Sequence, residues 1–150
     1  MNSGWLGGGS GELEIADAAA MEAAGAQLAR SLSHSALIFL RGELGAGKTT
    51  LVRGFLRQRG HDGAVKSPTY TLIESYELPG GEVCHLDLYR LGDPEELEFL
   101  GFRDLLARSA TCLIEWPQMG EGYLPRADID LRIEYAGSGR RLILDEIFDK

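Results

Sequence analysis

A single α/β domain, with a sheet that mixes parallel and antiparallel strands, is predicted by three features of the sequence. The length of 150 residues is typical of one domain. Two continuous apolar runs, residues 36–40 and 111–114, are typical of parallel strands that are buried on both faces. Short glycine-containing turns at residues 79–81 and 137–139 each separate two strand-like segments and therefore indicate antiparallel hairpins.

The first sixty residues predict a tail followed by strand, helix, strand and helix. Residues 1–11 are rich in glycine and serine, so we predict a flexible tail before a domain that spans residues 12–150. A short strand over residues 12–15 is followed by Asp17, which is well placed to cap an alanine-rich helix. Residues 48–58 carry apolar side chains at helical spacing and predict the second helix.

The remainder of the chain predicts two hairpins that are separated by a helix and a buried strand. The hairpins pair residues 70–78 with 83–89 and residues 129–135 with 140–148. Between them, Asp93 is expected to cap a helix, with Pro94 at its first position and Glu96 completing a capping box.

Charge and composition exclude several classes of protein. The formal net charge of -8 repels nucleic-acid phosphates, so we expect no general nucleic-acid binding. No apolar run approaches the roughly 18 residues of a membrane span, and no secretory signal is visible. Cys84 and Cys112 lie in strand-like segments and are expected to be buried free thiols. We therefore predict a cytoplasmic protein with no membrane partner.

Residues 42–49 match the phosphate-binding loop pattern, in which glycine, four variable residues and a second glycine precede lysine and threonine. Glycines let several N–H groups turn toward one anion, and the start of the next helix adds further donors. Lys48 is expected to reach the β- and γ-phosphates, and the Thr49 hydroxyl to bind Mg²⁺. The predicted nucleotide-binding residues are Gly42, Glu43, Leu44, Gly45, Ala46, Gly47, Lys48, Thr49 and Thr50. The sequence therefore predicts a P-loop NTPase-like domain.

A P-loop needs an acidic residue near the magnesium ion, usually at the end of a neighbouring buried strand. Glu115 follows the second apolar run and Asp87 lies in another strand-like segment. We predict that both are catalytic and that Glu115 also binds the metal. The alternative for each is a solvated or salt-bridged carboxylate. His85 is interpreted as structural, and Trp116 is expected either to pack over the nucleotide or to belong to the core.

Ser67 and Thr69 flank a proline about 20 residues beyond the loop, where nucleotide-sensing segments often lie. Their hydroxyls are candidates for sensing the γ-phosphate or its metal, and the alternative is a capped turn before a strand. Asn2 is the only asparagine, which removes the Asn-Lys-x-Asp motif that usually reads guanine. ATP is therefore favoured over GTP.

Four motifs, taken in order, resemble the TsaE family, which is also called YjeE. They are Gly42-Glu43-Leu44-Gly45-Ala46-Gly47-Lys48-Thr49-Thr50-Leu51, Ser67-Pro68-Thr69-Tyr70-Thr71-Leu72, His85-Leu86-Asp87-Leu88-Tyr89-Arg90-Leu91 and Ile114-Glu115-Trp116-Pro117. The first motif is generic, whereas the four in this order are specific. The resemblance covers roughly residues 15–147.

The resemblance implies a domain whose central parallel strands are flanked by antiparallel hairpin strands, and it implies residue roles. Thr49 would hold Mg²⁺, and Glu115 would stand at the family's Walker B-like position. Asp87 would be needed for hydrolysis, and Trp116 would lie beside the nucleotide. The function implied is that of an ATPase, weak alone, in the bacterial pathway that makes threonylcarbamoyladenosine in tRNA. Its partners would be TsaD and TsaB, with tRNA reached through their complex.

The sequence departs from the family pattern at two positions. Met21 stands where the family commonly has a threonine that approaches the base, so adenine contacts from the first helix are not implied. Gln118 stands where a glutamate is frequent.

Arg140 or Arg141 is expected either to approach the nucleotide or to be a surface charge. The alternatives to an ATPase are a small-molecule kinase and a nucleotide-dependent binding module.

Overall fold

The computed structural model describes residues 11–32 and 35–147, which form a seven-stranded sheet with helices on both faces. The strands are β1 (Glu12–Ile15), β2 (Leu37–Arg41), β3 (Ile73–Leu78), β4 (Gly81–Asp87), β5 (Thr111–Glu115), β6 (Ile129–Ala136) and β7 (Gly139–Ile147). The helices are α1 (Ala18–Ser31), α2 (Lys48–Gln58), α3 (Glu96–Phe99), α4 (Phe102–Ala107) and a 3₁₀ turn at Pro117–Gly120.

The order of strands across the sheet is β1-β7-β6-β2-β5-β4-β3. Strand β2 pairs in parallel with both β5 and β6, and β4 pairs in parallel with β5. The β3–β4 and β6–β7 hairpins and the β1–β7 pair are antiparallel. The predicted mixed sheet, with parallel central strands flanked by antiparallel ones, is therefore confirmed. The P-loop NTPase-like fold that the sequence predicts is the fold of this domain.

Alternating side chains of β2 pack against two different helix layers. Ile38 and Leu40 belong to the core that includes α1 and α2, whereas Leu37 and Phe39 belong to the core that includes α3 and α4. Successive side chains of a strand point to opposite faces, so a strand covered on both faces is apolar throughout. The continuous apolar run at residues 37–40 thus places β2, which ends at Arg41, at the centre of a three-layer domain.

Helices α1 and α2 cross closely because each has a glycine at the crossing point. A Cβ atom on Gly25 would lie 2.0 Å from the Leu51 carbonyl oxygen, and one on Gly54 would lie 1.9 Å from the Glu22 carbonyl oxygen. No side chain fits at such distances. The predicted cap at the start of α1 is also confirmed, since Asp17 Oδ1 accepts a hydrogen bond of 2.9 Å from the Ala20 N–H.

Several predicted boundaries differ from the structure. Strand β4 spans Gly81–Asp87 rather than residues 83–89, because the chain turns after Asp87 and the Leu91 N–H donates to the Leu88 carbonyl. Strand β3 begins at Ile73 rather than residue 70, because the Leu72 N–H donates to the Pro68 carbonyl and Leu72 adopts a φ of 70°, which closes a turn.

Asp93 Oδ1 accepts from the Glu95 N–H, and the Asp93 N–H donates to Glu96. The helix nevertheless begins at Glu96 with Glu95 as its N-cap, rather than at Pro94, because the Glu96 and Leu97 N–H groups bond back to the Asp93 and Pro94 carbonyls in a tighter turn.

The helix that follows Asp93 is short. It ends at Phe99, and Gly101, with a φ of 77°, turns the chain into α4, which the sequence analysis did not predict. A left-handed residue cannot continue an α-helix, so the predicted single helix is replaced by two short ones.

Cys84 and Cys112 are buried free thiols, as predicted, and they lie opposite each other on β4 and β5. No helix within the described ranges is both long and apolar enough to cross a membrane. The predicted tail over residues 1–11 lies outside the described residues except for Gly11, so the tail and the domain limits of 12–150 stay predictions.

Candidate nucleotide site

The phosphate-binding loop connects the end of β2 to the start of α2. Gly45 and Gly47 have φ values of 79° and 116°, which glycine adopts without strain. Gly47 is also the N-cap of α2 and has no side chain to cap the first N–H groups of that helix. Those N–H groups have no partner within the helix and are therefore available as donors to an anion at the loop.

Lys48 is buried inside this loop, with 5% of the residue exposed. Its Nζ donates to the carbonyl oxygen of Gly42 and, over 3.2 Å, to that of Glu43. The ammonium also lies 4.6 Å from the centroid of the Trp116 ring. Burial lowers the pKa of Lys48, and the nearby carboxylates of Glu115 and Asp87 oppose that effect. The cation is thus held between the loop and the acidic strand ends.

Glu115 is oriented by two neighbours that share one of its oxygens. The Thr49 hydroxyl lies 3.4 Å and His85 Nε2 lies 2.6 Å from Glu115 Oε2. His85 is fully buried, and its Nδ1 has no hydrogen-bond partner among the described residues. Nε2 is therefore the nitrogen that donates to Glu115, because it faces a carboxylate acceptor. His85 therefore orients the Glu115 carboxylate, which fits the structural role predicted for it.

Asp87 is linked to the segment that contains Ser67 and Thr69. The Thr69 hydroxyl donates to Asp87 Oδ2 over 3.2 Å, and the Ser67 and Thr69 hydroxyls lie 2.8 Å apart. Burial raises the pKa of Asp87, and Glu115 adds to this, whereas hydrogen bonds from the Tyr89 N–H and from Thr69 oppose it. The predicted switch segment is thus in contact with a predicted catalytic acid.

One cavity of about 280 Å³ brings these predicted residues together. Its lining includes Lys48, Thr49, Ser67, Thr69, Asp87 and Glu115. The strand register explains this meeting, because Leu40 and Asp87 are both paired with Glu115 at the same edge of the sheet. Parallel strands present their carboxyl ends at one edge, which is where α/β proteins bind ligands.

A second, smaller cavity of about 210 Å³ also borders the loop. It is bounded by Asp17 and Met21 from the start of the first helix, by Ala46 of the loop, and by Ser138 and Arg140 from the last hairpin. The Met21 Cε is only 3.0 Å from where a Cβ of Gly47 would be. Met21 therefore forms part of the wall of a space continuous with the phosphate-binding loop.

The donors in the larger cavity fit magnesium. Within residues 11–32 and 35–147, no group of three or more His, Cys, Asp or Glu side chains is arranged to hold a metal ion. The cavity instead offers the Thr49 hydroxyl and the Glu115 carboxylate. Mg²⁺ prefers such oxygen ligands and usually takes its remaining ligands from waters and substrate phosphates.

The last hairpin contacts the outer side of the loop. Tyr135 Oη donates to the Leu44 carbonyl oxygen over 3.0 Å, and Arg140 Nε donates to that of Ala46 over 3.0 Å. Arg141 points elsewhere and pairs with Glu14. Of the two predicted arginines, Arg140 is therefore the one at the loop. Tyr135 was not singled out from the sequence, although its position opposite Arg140 in the hairpin was a usable signal.

Trp116 lies directly after Glu115 and adopts a φ of 56°. Its ring faces Lys48 and lies 4.9 Å from the Tyr89 ring, centroid to centroid. It also packs against the core that includes α3 and α4. Gln118 lines a further cavity with Trp116, beside Glu43 of the loop. Trp116 thus packs against the core, which is one of the two predicted alternatives, and its ring also lies beside Lys48 of the loop. Its packing over a nucleotide stays a prediction.

Comparisons with known proteins agree with this geometry. The sequence model of the family described as "Threonylcarbamoyl adenosine biosynthesis protein TsaE" matches residues 15–143. Three relatives are each named "tRNA threonylcarbamoyladenosine biosynthesis protein TsaE". The protein from Haemophilus influenzae is 55% identical over 108 residues, which are 72% of this chain and 68% of that protein. The Bacillus subtilis relative is 37% identical over 107 residues, with 71% and 66% covered. The Aquifex aeolicus relative is 37% identical over 119 residues, with 78% and 81% covered.

A solved structure is also similar to this chain. The crystal structure of Bacillus subtilis YdiB superposes with a TM-score of 0.69 at 28% sequence identity. The match covers 89% of this chain and 82% of that chain. The similarity therefore extends over most of the sheet and its helices.

Proposed function

The chain belongs to the TsaE family of threonylcarbamoyl adenosine biosynthesis proteins, and from this premise we propose that it binds and hydrolyses ATP with Mg²⁺. In this proposal it is an accessory ATPase for the threonylcarbamoyladenosine modification of tRNA in the cytoplasm. The observation that carries the proposal is the cavity that gathers Lys48, Thr49, Asp87 and Glu115 beside the phosphate-binding loop.

The loop supplies the binding of the phosphates. The unpaired N–H groups at the start of α2 and the glycine-rich turn before them provide hydrogen-bond donors and the positive end of the helix dipole. Lys48 now donates to two carbonyls of its own loop. A charged hydrogen bond to phosphate oxygens is stronger than one to a neutral carbonyl. We therefore expect its ammonium to transfer to the β- and γ-phosphates when ATP binds.

Thr49 and Glu115 would hold the magnesium ion, which would neutralise charge on the phosphates. His85 keeps Glu115 Oε2 on the side of Thr49 through its hydrogen bond of 2.6 Å. The smaller cavity would receive the base and ribose, with Met21 as an apolar wall. In the larger cavity Asp87 would orient the attacking water. Ser67 and Thr69, hydrogen-bonded to each other and to Asp87, would respond to the γ-phosphate.

TsaD and TsaB are the proposed partners, and the charges in the cavity give a reason for needing them. None of the described residues that line the larger cavity is an arginine. The nearby Arg140 is engaged with the outer side of the loop, and Arg90 lies over the Tyr70 ring, 4.6 Å from its centroid. A missing arginine finger can cost about 10³–10⁵ in the rate of phosphoryl transfer. We therefore expect slow hydrolysis by the isolated protein. With a net charge of -8, tRNA contact is left mainly to the partners.

A phosphate-release assay tests this proposal. It is run with the protein alone, with TsaD and TsaB, and then with tRNA added. We expect slow release alone and faster release in the complex. Free phosphate without any acceptor also separates an ATPase from a small-molecule kinase. Fast hydrolysis by the isolated protein that neither addition changes would rule out activation by partners. Nucleotide binding without turnover in every mixture would instead support a binding module.

A further inference from the structure

We propose that Tyr135 and Arg140 form an outer clamp that holds the phosphate-binding loop in its anion-binding conformation. The two residues contact the loop from the last hairpin and do not line the 280 Å³ cavity, so they are positioning residues. The clamp rests on the proposed binding of ATP, and it adds two residues to the machinery that makes such binding possible. It assigns a function to an exposed tyrosine that core packing does not explain, since 52% of Tyr135 is exposed.

The carbonyl oxygens of the loop are satisfied in two groups. Lys48 serves the first two, those of Gly42 and Glu43. The hairpin serves the next three: Tyr135 Oη donates to Leu44 over 3.0 Å, Arg140 Nη2 to Gly45 over 3.4 Å, and Arg140 Nε to Ala46 over 3.0 Å. The side-chain donor of the first group is a lysine that is expected to move to the phosphates, although the Glu43 carbonyl also accepts from the Ala46 N–H. The contacts of the second group do not involve Lys48, so the hairpin can hold the loop both without a ligand and with ATP bound.

The clamp is itself well supported. Tyr135 and Arg140 are opposite partners in the β6–β7 register. The Arg140 guanidinium lies 4.2 Å from the centroid of the Tyr135 ring, and its Nη1 donates to the Gly139 carbonyl. Cross-strand pairs and cation–π contacts of this kind restrict the rotamers of both side chains. The Tyr135 hydroxyl and the Arg140 guanidinium are therefore held in fixed positions beside the loop.

Because the peptide unit is planar, holding the loop carbonyls in place also fixes the direction of the N–H groups that follow them. In a planar trans peptide the C=O and the following N–H point in opposite directions. Anchoring the Leu44 and Ala46 carbonyls on the hairpin therefore directs the N–H groups of Gly45 and Gly47 away from it. Gly45 and Gly47 line the larger cavity. A loop that already has this orientation loses less conformational entropy when it binds an anion.

Arg140 also lines the smaller cavity, so a direct contact with the ribose or base is the competing explanation. The two explanations differ in their ligand dependence. A clamp on the loop affects binding of the phosphates, so its loss weakens the binding of inorganic tripolyphosphate as much as the binding of ATP. A direct contact with the nucleoside part acts on ATP alone. Tyr135 does not line the smaller cavity, which makes it the cleaner of the two probes.

The test is calorimetric titration of Tyr135→Phe and Arg140→Gln with Mg–ATP and with Mg–tripolyphosphate. Tyr135→Phe removes one neutral hydrogen bond but keeps the ring, so we expect a loss of about 2- to 10-fold in affinity for both ligands. Arg140→Gln should lose about 10-fold or more for both ligands. Arg141→Gln is the matched control, because it removes the same charge from the adjacent residue, and it should bind like the parent.

Amide hydrogen exchange of the ligand-free protein provides a second measurement. The Ala46 N–H donates to the Glu43 carbonyl over 3.1 Å within the loop. Its exchange should be faster in Tyr135→Phe and Arg140→Gln and unchanged in Arg141→Gln. Parent affinity for both ligands in Tyr135→Phe, or unchanged Ala46 exchange in both clamp variants, would overturn the clamp. A loss of affinity in Arg140→Gln that affects ATP but not tripolyphosphate would also overturn it. Failure of the parent to bind Mg–ATP would refute the proposed function, while the exchange measurement would still decide on the clamp.

Discussion

Replacing Gly54 with alanine should separate helices α1 and α2 and destabilise the whole domain. The new methyl group would start 1.9 Å from the Glu22 carbonyl oxygen, whereas ordinary contact begins at 3.4 Å. The helices must therefore move apart by about 1.5 Å. A gap of about 0.5–1 Å already removes a quarter to a half of the dispersion energy of a contact, so the contacts between the two helices would be largely lost. The obstacle is a backbone atom, which cannot turn aside as a side chain can.

The magnitude follows from two opposing effects. Overpacking typically costs about 1–3 kcal/mol, and a clash with backbone belongs at the upper end of that range. Alanine returns about 1 kcal/mol, because it is a better helix former than glycine. We therefore expect Gly54→Ala to lower the free energy of unfolding by about 2 kcal/mol.

Urea denaturation followed by circular dichroism measures this change. Gly80→Ala is the matched control, because a Cβ at that turn position meets no atom within 4 Å. It should stay within about 0.5 kcal/mol of the parent. If Gly54→Ala unfolds at the same urea concentration as Gly80→Ala, the close crossing of the helices does not limit stability and the reasoning is wrong.

Three further predictions concern the site and one ion pair. Lys48→Ala should weaken Mg–ATP binding about 10- to 100-fold in calorimetry, and unchanged affinity would refute the P-loop assignment. Glu115→Gln and Asp87→Asn should bind ATP like the parent but release little phosphate with TsaD and TsaB; parent rates in both would remove the acid assignments. Arg108 lowers the pKa of Glu82, so its stabilising effect exists above the unfolded-state pKa and disappears as the pH falls through the folded-state value. Arg108→Gln should therefore lower the urea midpoint at pH 7, and the difference from the parent should shrink as the pH falls through the acid range; a difference that does not change with pH would contradict the pairing.

The local parts of this site could be predicted from the sequence. The phosphate-binding loop is a contiguous motif, and helix α2 was predicted with the bounds Lys48–Gln58 that the structure shows. Glu115 was found because it ends an apolar run, and an apolar run identifies a central strand without knowledge of its neighbours. The predicted capping around Asp93 depended on residues within one turn of each other.

The contacts that could not be predicted join distant parts of the chain. Tyr135 and Leu44 are 91 positions apart, and they meet because β6 lies beside β2 in the sheet. Strand order is decided by packing of whole layers and is not visible in local patterns. The start of β3 was predicted too early for a different reason. Its aromatic and β-branched residues favour a strand, and the hydrogen bond from Leu72 to Pro68 overrides that propensity.

The strand order also determines when the site can exist during synthesis. Strand β1 pairs with β7, the last strand to be made, and β2 lies between β5 and β6. Translation adds about 5–20 residues per second, so Glu115 is made about 3–13 s after Thr49, the last residue of the phosphate-binding loop. Throughout that interval the nascent chain carries Lys48 and Thr49 without their acidic partner. Completion of the nucleotide site is therefore a late event in biosynthesis, and a chain that terminates before β6 has the motif but lacks a strand that flanks it.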